Sequence, residues 1–361
     1  MKDKAINIFK FVGLGFFEPA VRLAAGEEVK KNATDLVKKV LFPILSILLF
    51  LVLWQAGSSA LYNVERNHKI EVARESGGEA GVTAELARIE SGESTINALP
   101  SPGSVLTAFK TLIADHKVIS AKKDAFAAKV EKTNEKRAAQ GLAAITYTGR
   151  PSFVDQVITS LKTVAAGFFL ALFLAVPIGM VLGLSDTLRS SFNWLIQIFK
   201  PVSPVVWFLL VYMIVKSLTL TYDGDVSFII SFIAVGLCAM WATLVNTTLG
   251  VSSVDNDFIN VAKVLNLSVG QKVFKIVLPS AFPLIFTGLR ITVSVAWMVL
   301  IAIELLSQSP GLGTFVWEEF QNGANDSNAK IIAAMFVIGG IGFLLDRIMF
   351  SVQKLMTFTE A

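Results

Sequence analysis

Two ionisable residues stand in otherwise apolar sequence at a spacing that could do chemistry. Arg290 and Glu304 lie 14 residues apart within the run from Phe282 to Leu306. On a helix that separation turns through about 1400°, roughly 40° short of four turns, so both project from one face, about 21 Å apart along the axis. They are too far apart to pair with each other. Trp297 lies midway and completes the stripe. Charged groups in hydrocarbon are costly and face a cavity, a partner or an interface. The stripe therefore reads either as the lining of a polar path or as structural pairing with other helices. Lys162 and Lys200 also fall inside apolar runs, but near their ends, where a long side chain can snorkel to the interface.

Other chemistry is scarce. There is no GxxxxGK[ST] phosphate loop, so the chain is not expected to bind ATP through one. HExxH, GxSxG and paired-Cys motifs are absent as well. One Cys (Cys238) permits no internal disulfide, and two His (His68, His116) leave no His-rich metal site. The expectation is a protein that is not an enzyme, with no catalytic residue, no metal, no cofactor and no nucleic-acid partner.

The elements that must position the stripe are membrane helices. Of 361 residues, 53% are apolar and only 17% charged, against about 25% charged in soluble proteins. A bilayer core about 30 Å thick needs roughly 20 apolar residues per helix. Six runs qualify: 40–62, 157–184, 192–215, 226–250, 282–306 and 329–352. The first starts too late and is too long for a cleaved signal, so it reads as a retained span. The 60 charges are uneven, with 13 before Val40 and 25 between Asn63 and Asp155.

Orientation follows from the basic residues of the short loops. Eight lie before the first span, Arg189 lies between spans two and three, and Lys263, Lys272 and Lys275 lie between four and five. The loop between five and six carries Glu318, Glu319 and Asp326. Both termini are thus expected in the cytoplasm of a multi-pass protein. Residues 1–39 form a cytoplasmic segment in which Ile6, Phe9, Lys10, Gly13, Phe16 and Phe17 suit either an interfacial amphipathic helix or a partly ordered tail. Residues 40–62 form the first span, 63–155 an extracytoplasmic helical segment, and 156–354 a five-helix core.

Local signals refine the elements. Ser101 can cap a helix that has Pro102 at its first position, and the Lys/Ala/Glu-rich run from Ser120 to Gln140 reads as a helix with a solvated face. Gly179 and Gly183 form a GxxxG that permits close helix approach. Pro201 and Pro204 are expected to kink or interrupt span three, because each removes a backbone donor.

The longest cytoplasmic loop, 254–281, has helical periodicity. Phe258, Ile259, Ala262 and Leu265 mark one face of a short helix, and Asn266 suits a left-handed cap. Ser268 and Gln271 form a capping box for a second helix. Pro279 and Pro283 are expected to break the pattern before span five. The loop reads as a helix–turn–helix elbow with exposed apolar residues that another protein covers.

This elbow resembles the EAA loop of permease subunits of ATP-binding-cassette importers, E-A-A-x-x-x-G followed by I-x-L-P. Here the pieces are Asn260-Val261-Ala262-Lys263-Val264-Leu265-Asn266 and Ile276-Val277-Leu278-Pro279, with the Glu, the first Ala and the Gly replaced. The run NVAKVL-x-LS and the later PSA-x-P-x-IFTGLRI are similar to the nitrate-type branch of the nitrate/sulfonate/bicarbonate (taurine) permeases. Further pieces are LPSP at Leu99–Pro102, SLKTVAAGF at Ser160–Phe168, KPVSPVVW at Lys200–Trp207, and AIELL with GLG between Ala302 and Gly313. The likeness runs from about Leu99 to the C-terminus, with an insertion from roughly Asp115 to Thr148.

The resemblance implies an all-α type I importer permease (MetI-like) fold in a bacterial inner membrane, working as a homodimer. It implies cytoplasmic ATPase subunits docked on Asn260, Val261, Ala262, Lys263, Leu265, Asn266, Leu267 and Ser268, and a periplasmic substrate-binding protein outside. The cargo it implies is a small oxyanion, nitrate first, with bicarbonate, nitrite, cyanate or sulfonate as alternatives. Arg290 would then be the electropositive element of the path, with Trp207, Trp297 and Glu304 as further lining. A channel or ion-coupled secondary transporter acting without an ATPase is the competing expectation, distinguished by whether an ATPase copurifies.

Overall fold

A computed structural model describes residues 18–356 of the chain, apart from 27, 95, 97, 220–224 and 325. The amphipathic stretch from Ile6 to Phe17 lies outside the described residues. Every regular element described is helical. In chain order these are α1 (Glu18–Ala24), α2 (Val29–Leu36), α3 (Phe42–Glu90), α4 (Pro102–Ala139), α5 (Phe153–Gly183), α6 (Asp186–Phe199) and α7 (Pro204–Leu218). They continue with α8 (Ser227–Ser252), α9 (Asn256–Val264), α10 (Val269–Lys272), α11 (Leu278–Ser307), α12 (Leu312–Asn322) and α13 (Ser327–Met356). The protein is all-α.

Five helical stretches are long and apolar enough to cross a bilayer, and α6 with α7 makes a sixth, bent by 100°. The bend falls where the sequence places Pro201 and Pro204. Pro204 opens α7, and Ser203 caps it by accepting from the Val205 amide. Proline at a first helical position costs nothing, since its missing N–H would lack a partner there anyway.

The chain divides into two compact units. One comprises the described residues up to Leu41 together with 160–309 and 339–356. Its centre is the packing of α5 and α11 on α8. Small residues of α5 make this possible. A Cβ at Gly179 would lie 2.7 Å from Thr247 Cβ, and one at Gly183 would lie 2.5 Å from Val251 Cβ. Ala171 and Ala175, earlier on the same face at four-residue spacing, are fully buried. The GxxxG is thus the close-approach stripe that its spacing suggests. Across the other side of α8, Thr243 and Thr292 of α11 share a hydroxyl–hydroxyl bond of 2.7 Å, and Thr292 Oγ1 donates to Ala239 O at 3.0 Å. Gly288 of α11 lies where a Cβ would be 2.9 Å from Thr243 Cα.

The second unit comprises 42–159 and 310–338. Here α3 continues well past Tyr62, because no Gly or Pro interrupts it before Gly77. It then folds back at Gly78 (φ 57°, ψ −149°), a conformation only glycine adopts without strain. A Cβ on Gly81 would collide with the Ala73 carbonyl, which marks the tightness of the return. Trp54 Nε1 donates to Pro100 O at 2.9 Å and Ser58 Oγ to Leu99 O at 2.7 Å, so the Leu99–Pro102 turn is tied to the first span. Ser101 caps α4 by accepting from the Ser104 amide, with Pro102 in the first turn. The apolar run after Pro102 and the charged run from Ser120 form one helix, since no breaker separates them. Val105, Ala108 and Leu112 of α4 pack with Phe315 of α12 and Ala329 and Ala333 of α13.

The 115–148 insertion is the distal part of α4 with a return strand of irregular chain. Asn134 clasps that return from both sides, donating to Ile145 O at 3.1 Å and accepting from its amide at 2.7 Å. Arg150 reaches Asp115 at 2.6 Å, and Lys123 reaches Asp155 at 2.5 Å.

Candidate functional site: the elbow and the span-five stripe

The elbow is built by two caps placed back to back. At the end of α9 the Leu267 amide donates to Ala262 O and the Asn266 amide to Lys263 O, both at 3.0 Å. This is the Schellman pattern, and Asn266 takes its left-handed position at φ 49°. Ser268 then opens α10 with a complete capping box: it accepts from the Gln271 amide, and Gln271 Oε1 accepts from the Ser268 amide. Only Leu267 lies between the caps, so the turn between the helices is fixed by local hydrogen bonds.

Beyond α10 the helix does not break. It runs through a π-turn at Val273–Val277 directly into α11, with Pro279 in the first turn and Pro283 inside. The expectation that Pro279 and Pro283 interrupt the chain before span five is corrected. A wide turn leaves room for a ring that would clash with a carbonyl one turn earlier. The same device recurs at Val37–Leu41, ahead of Pro43.

The elbow's apolar residues divide between two sides. Ala262 is 2% exposed, and Ile259 packs against the cluster of Val251, Val277, Ala281, Ile285 and Leu289. These hold the elbow to α8 and α11. Phe258, Val261, Val264, Leu265, Val269 and Phe274 face outward, with Val264 81% and Val269 80% exposed. The expected single face of Phe258, Ile259, Ala262 and Leu265 is therefore two faces. Asn260, Lys263 and Ser268 are exposed among the outward apolar residues, and Leu267 is half-buried.

On α11 the stripe is occupied at three levels in three ways. Arg290 is half-buried and forms a bidentate pair with Asp346 of α13, Nε to Oδ1 at 2.6 Å and Nη2 to Oδ2 at 2.8 Å. Its guanidinium also lies 5.2 Å from the Phe350 ring centroid. The pair borders a cavity of about 420 Å³ lined by Thr287, Ser294, Met298 and Gln353 as well. Trp297 is buried, and a Cβ at Gly342 of α13 would lie 3.0 Å from its Cδ1. Glu304 is fully buried, and Ser160 Oγ lies 2.7 and 2.9 Å from its two carboxylate oxygens. Of the three, only Arg290 borders that cavity.

Trp207 is also buried. It packs with Phe199 at 5.8 Å and with Trp241 at 6.2 Å between ring centroids. The indole N–H groups of Trp207 and Trp241 are buried without an acceptor among the described residues. Asp346 is a further residue of this level that the stripe on α11 does not reveal. It stands within the sixth apolar run, and the rule that singled out Arg290 applies to it equally.

Comparison with known proteins fits this architecture. Residues 175–357 match the family described as "Binding-protein-dependent transport system inner membrane component". The chain is 34% identical over 202 residues to the nitrate import permease protein NrtB of Synechococcus elongatus, covering 56% of this chain and 69% of that protein. It is 36% identical over 202 residues to the bicarbonate transport system permease protein CmpB of Synechocystis, covering 56% and 68%. Among solved structures, an inward-facing MetNI methionine ABC transporter shares the fold with a TM-score of 0.50 at 14% identity, covering 57% of this chain and 96% of that one. With its helical elbow, broken third span and type I importer permease fold, the chain belongs to the family of binding-protein-dependent transport system inner membrane components.

Proposed function

We propose that this chain is the membrane subunit of an ATP-driven importer for a small oxyanion. Nitrate is the first candidate and bicarbonate the next, since relatives bearing those two names resemble the chain about equally; nitrite, cyanate and sulfonate follow. Two copies form the pore, a periplasmic binding protein delivers the cargo, and ATPase subunits dock on the elbow. Both termini lie in the cytoplasm, and residues 63–155 lie outside. Arg290 contributes the positive charge of the path, with Trp207, Trp297 and Glu304 supporting it.

The observation that carries the coupling role is the outward elbow face. Val264, Val269 and Phe274 are among the most exposed large apolar side chains of the chain, on a segment studded with Lys263, Lys272 and Lys275. Lys263, Lys272 and Lys275 keep this segment out of the hydrocarbon core, and apolar side chains this exposed on a loop between spans suit a docked protein surface. ATP-driven closure of the ATPase pair would shift the elbows, and the short rigid turn would pass that shift to α8 and α11.

The test separates docking from folding. Val264→Asp with Val269→Asp places charge on the outward face and leaves the Ile259–Ala262 side intact. The expected result is folded protein that loses its copurifying ATPase and its ATP-dependent nitrate or bicarbonate uptake. Normal uptake by this double variant would sink the coupling assignment. Ala262→Asp is a poorer probe, because it buries a charge and displaces the elbow itself.

A further inference from the structure

The span-five cavity is not the most electropositive one in its unit, because Asp346 neutralises Arg290 there. A second cavity, of about 520 Å³, lies between the end of α5, the helix α6 and the C-terminal half of α8. Its wall carries Arg189, Asn193, Gln197 and Lys200, with Thr248 and Ser252 opposite. Among the described residues lining it there is no carboxylate.

The spacing of the first four is 4, 4 and 3 residues along α6 and its cap. At 100° per residue they fall within about 80° of one another, a single polar stripe with a cation at each end. Arg189 contacts Asp186 at 2.5 Å, but that carboxylate is 88% exposed and three residues away on the same helix. Such a pair in water is worth little and leaves most guanidinium donors available. Lys200 has no ion-pair partner among the described residues. The Thr248 and Ser252 hydroxyls already donate to Leu244 O and Leu249 O. Among the described residues, the wall's unused donors are thus the rest of the guanidinium, the ammonium and two carboxamides, a set that suits an acceptor-only ligand.

We propose that this cavity is an oxyanion-binding site, distinct from the Arg290 level and independent of which cargo the protein carries. The stripe is about 16 Å long from Arg189 to Lys200, so a small oxyanion is held at one end of it, by Arg189 with the Asn193 amide or by Lys200 with the Gln197 amide. Two sources share that chemistry: a phospholipid phosphate, and a free anion such as nitrate or bicarbonate. Trp194 and Ile198 are exposed on the flank of α6 next to the stripe, an arrangement found where a helix meets the headgroup layer.

The full chain in nanodiscs tests both sources. In the first arm, phosphatidylglycerol is titrated into phosphatidylcholine discs and bound lipid is counted by native mass spectrometry. In the second, sodium nitrate and sodium bicarbonate are titrated calorimetrically against sodium chloride in pure phosphatidylcholine. The expected result is saturable binding in one arm that weakens at least tenfold in Arg189→Gln with Lys200→Gln. The charge-preserving Arg189→Lys with Lys200→Arg retains most of it and guards against misfolding of the neutral variant. Lys122→Gln with Arg150→Gln, on the other unit, removes equal charge and leaves binding unchanged. No saturable binding in either arm, or binding that the neutral pair of substitutions does not alter, overturns the site.

Discussion

Arg290 and Asp346, 56 positions apart in sequence, meet in a two-point hydrogen-bonded ion pair that joins α11 to α13. Both side chains keep roughly a third of their surface or less. Replacing Asp346 by Asn strands the guanidinium in a half-apolar setting. The expected loss is about 1–3 kcal/mol, below the figure for a fully buried pair because water still reaches this one. Exchanging the two residues, Arg290→Asp with Asp346→Arg, restores the pairing and most of the stability, read as thermal unfolding in detergent. Uptake then decides the role. If Arg290 serves the path, the exchanged protein folds but transports poorly; if it only ties two helices, transport returns with stability.

Ser160 and Glu304 make a different kind of contact, since both are fully buried. Ser160→Ala removes the hydroxyl that reaches both carboxylate oxygens, and a loss of about 1–3 kcal/mol is expected from a buried acceptor left short of a donor. Glu304→Gln preserves shape and still accepts from Ser160, so it is expected to unfold later than Glu304→Ala. Equal unfolding of Ser160→Ala and wild type would remove this contact from the stabilising set.

Trp207 packs against Phe199 and Trp241 and carries an indole N–H that has no acceptor among the described residues. Trp207→Phe keeps an aromatic ring in the cluster and deletes the stranded donor. Its expected effect on stability is small, within about 1 kcal/mol, because the lost ring volume and the relieved donor offset each other. Trp207→Ala is expected to cost about 3–5 kcal/mol. A Phe variant that is stable yet fails in uptake would place the indole N–H, rather than its packing, in transport.

The close approach of α5 and α8 gives the most geometric of the expectations. A Cβ at Gly183 would stand 2.5 Å from Val251 Cβ and 2.8 Å from Thr248 O. Gly183→Val must push the helices apart, at about 1–3 kcal/mol or more. Gly57→Ala in α3 meets nothing within 4 Å. In a helix interior it is expected to be neutral or to stabilise by about 0.5–1 kcal/mol. Circular dichroism melts of the two variants side by side check the contrast.

Much of this architecture is legible in the amino-acid sequence. The apolar runs gave the spans, because hydrocarbon thickness fixes helix length. The caps at Ser101, Asn266 and Ser268 were legible because capping is local chemistry over three or four residues. Two kinds of feature were hidden. The partner of Arg290 sits 56 residues away, and no spacing within one helix reveals a contact between two. The continuity across Pro279 was hidden for another reason. A proline argues for a break, and only the preceding wide turn lets the helix pass it. The side that each elbow residue faces was likewise settled by packing on α8 and α11, not by its own periodicity.

Asn266 offers the last test, because it stands where the importer motif that the elbow resembles has glycine. Its φ of 49° lies in the left-handed region, which asparagine tolerates and branched residues do not. Asn266→Gly is expected to leave elbow geometry and uptake close to wild type. Asn266→Val is expected to cost about 1–2 kcal/mol at that residue. The cost falls on the Schellman turn, since the Asn266 and Leu267 amides must keep their bonds to Lys263 and Ala262 with the backbone strained. Local opening is the cheaper response for a surface elbow than global unfolding. Hydrogen exchange should therefore quicken at Asn266 and Leu267 while α8 and α11 stay protected. Coupled uptake should fall along with it. Unchanged exchange in the Val variant would mean that the turn is held by something other than its caps.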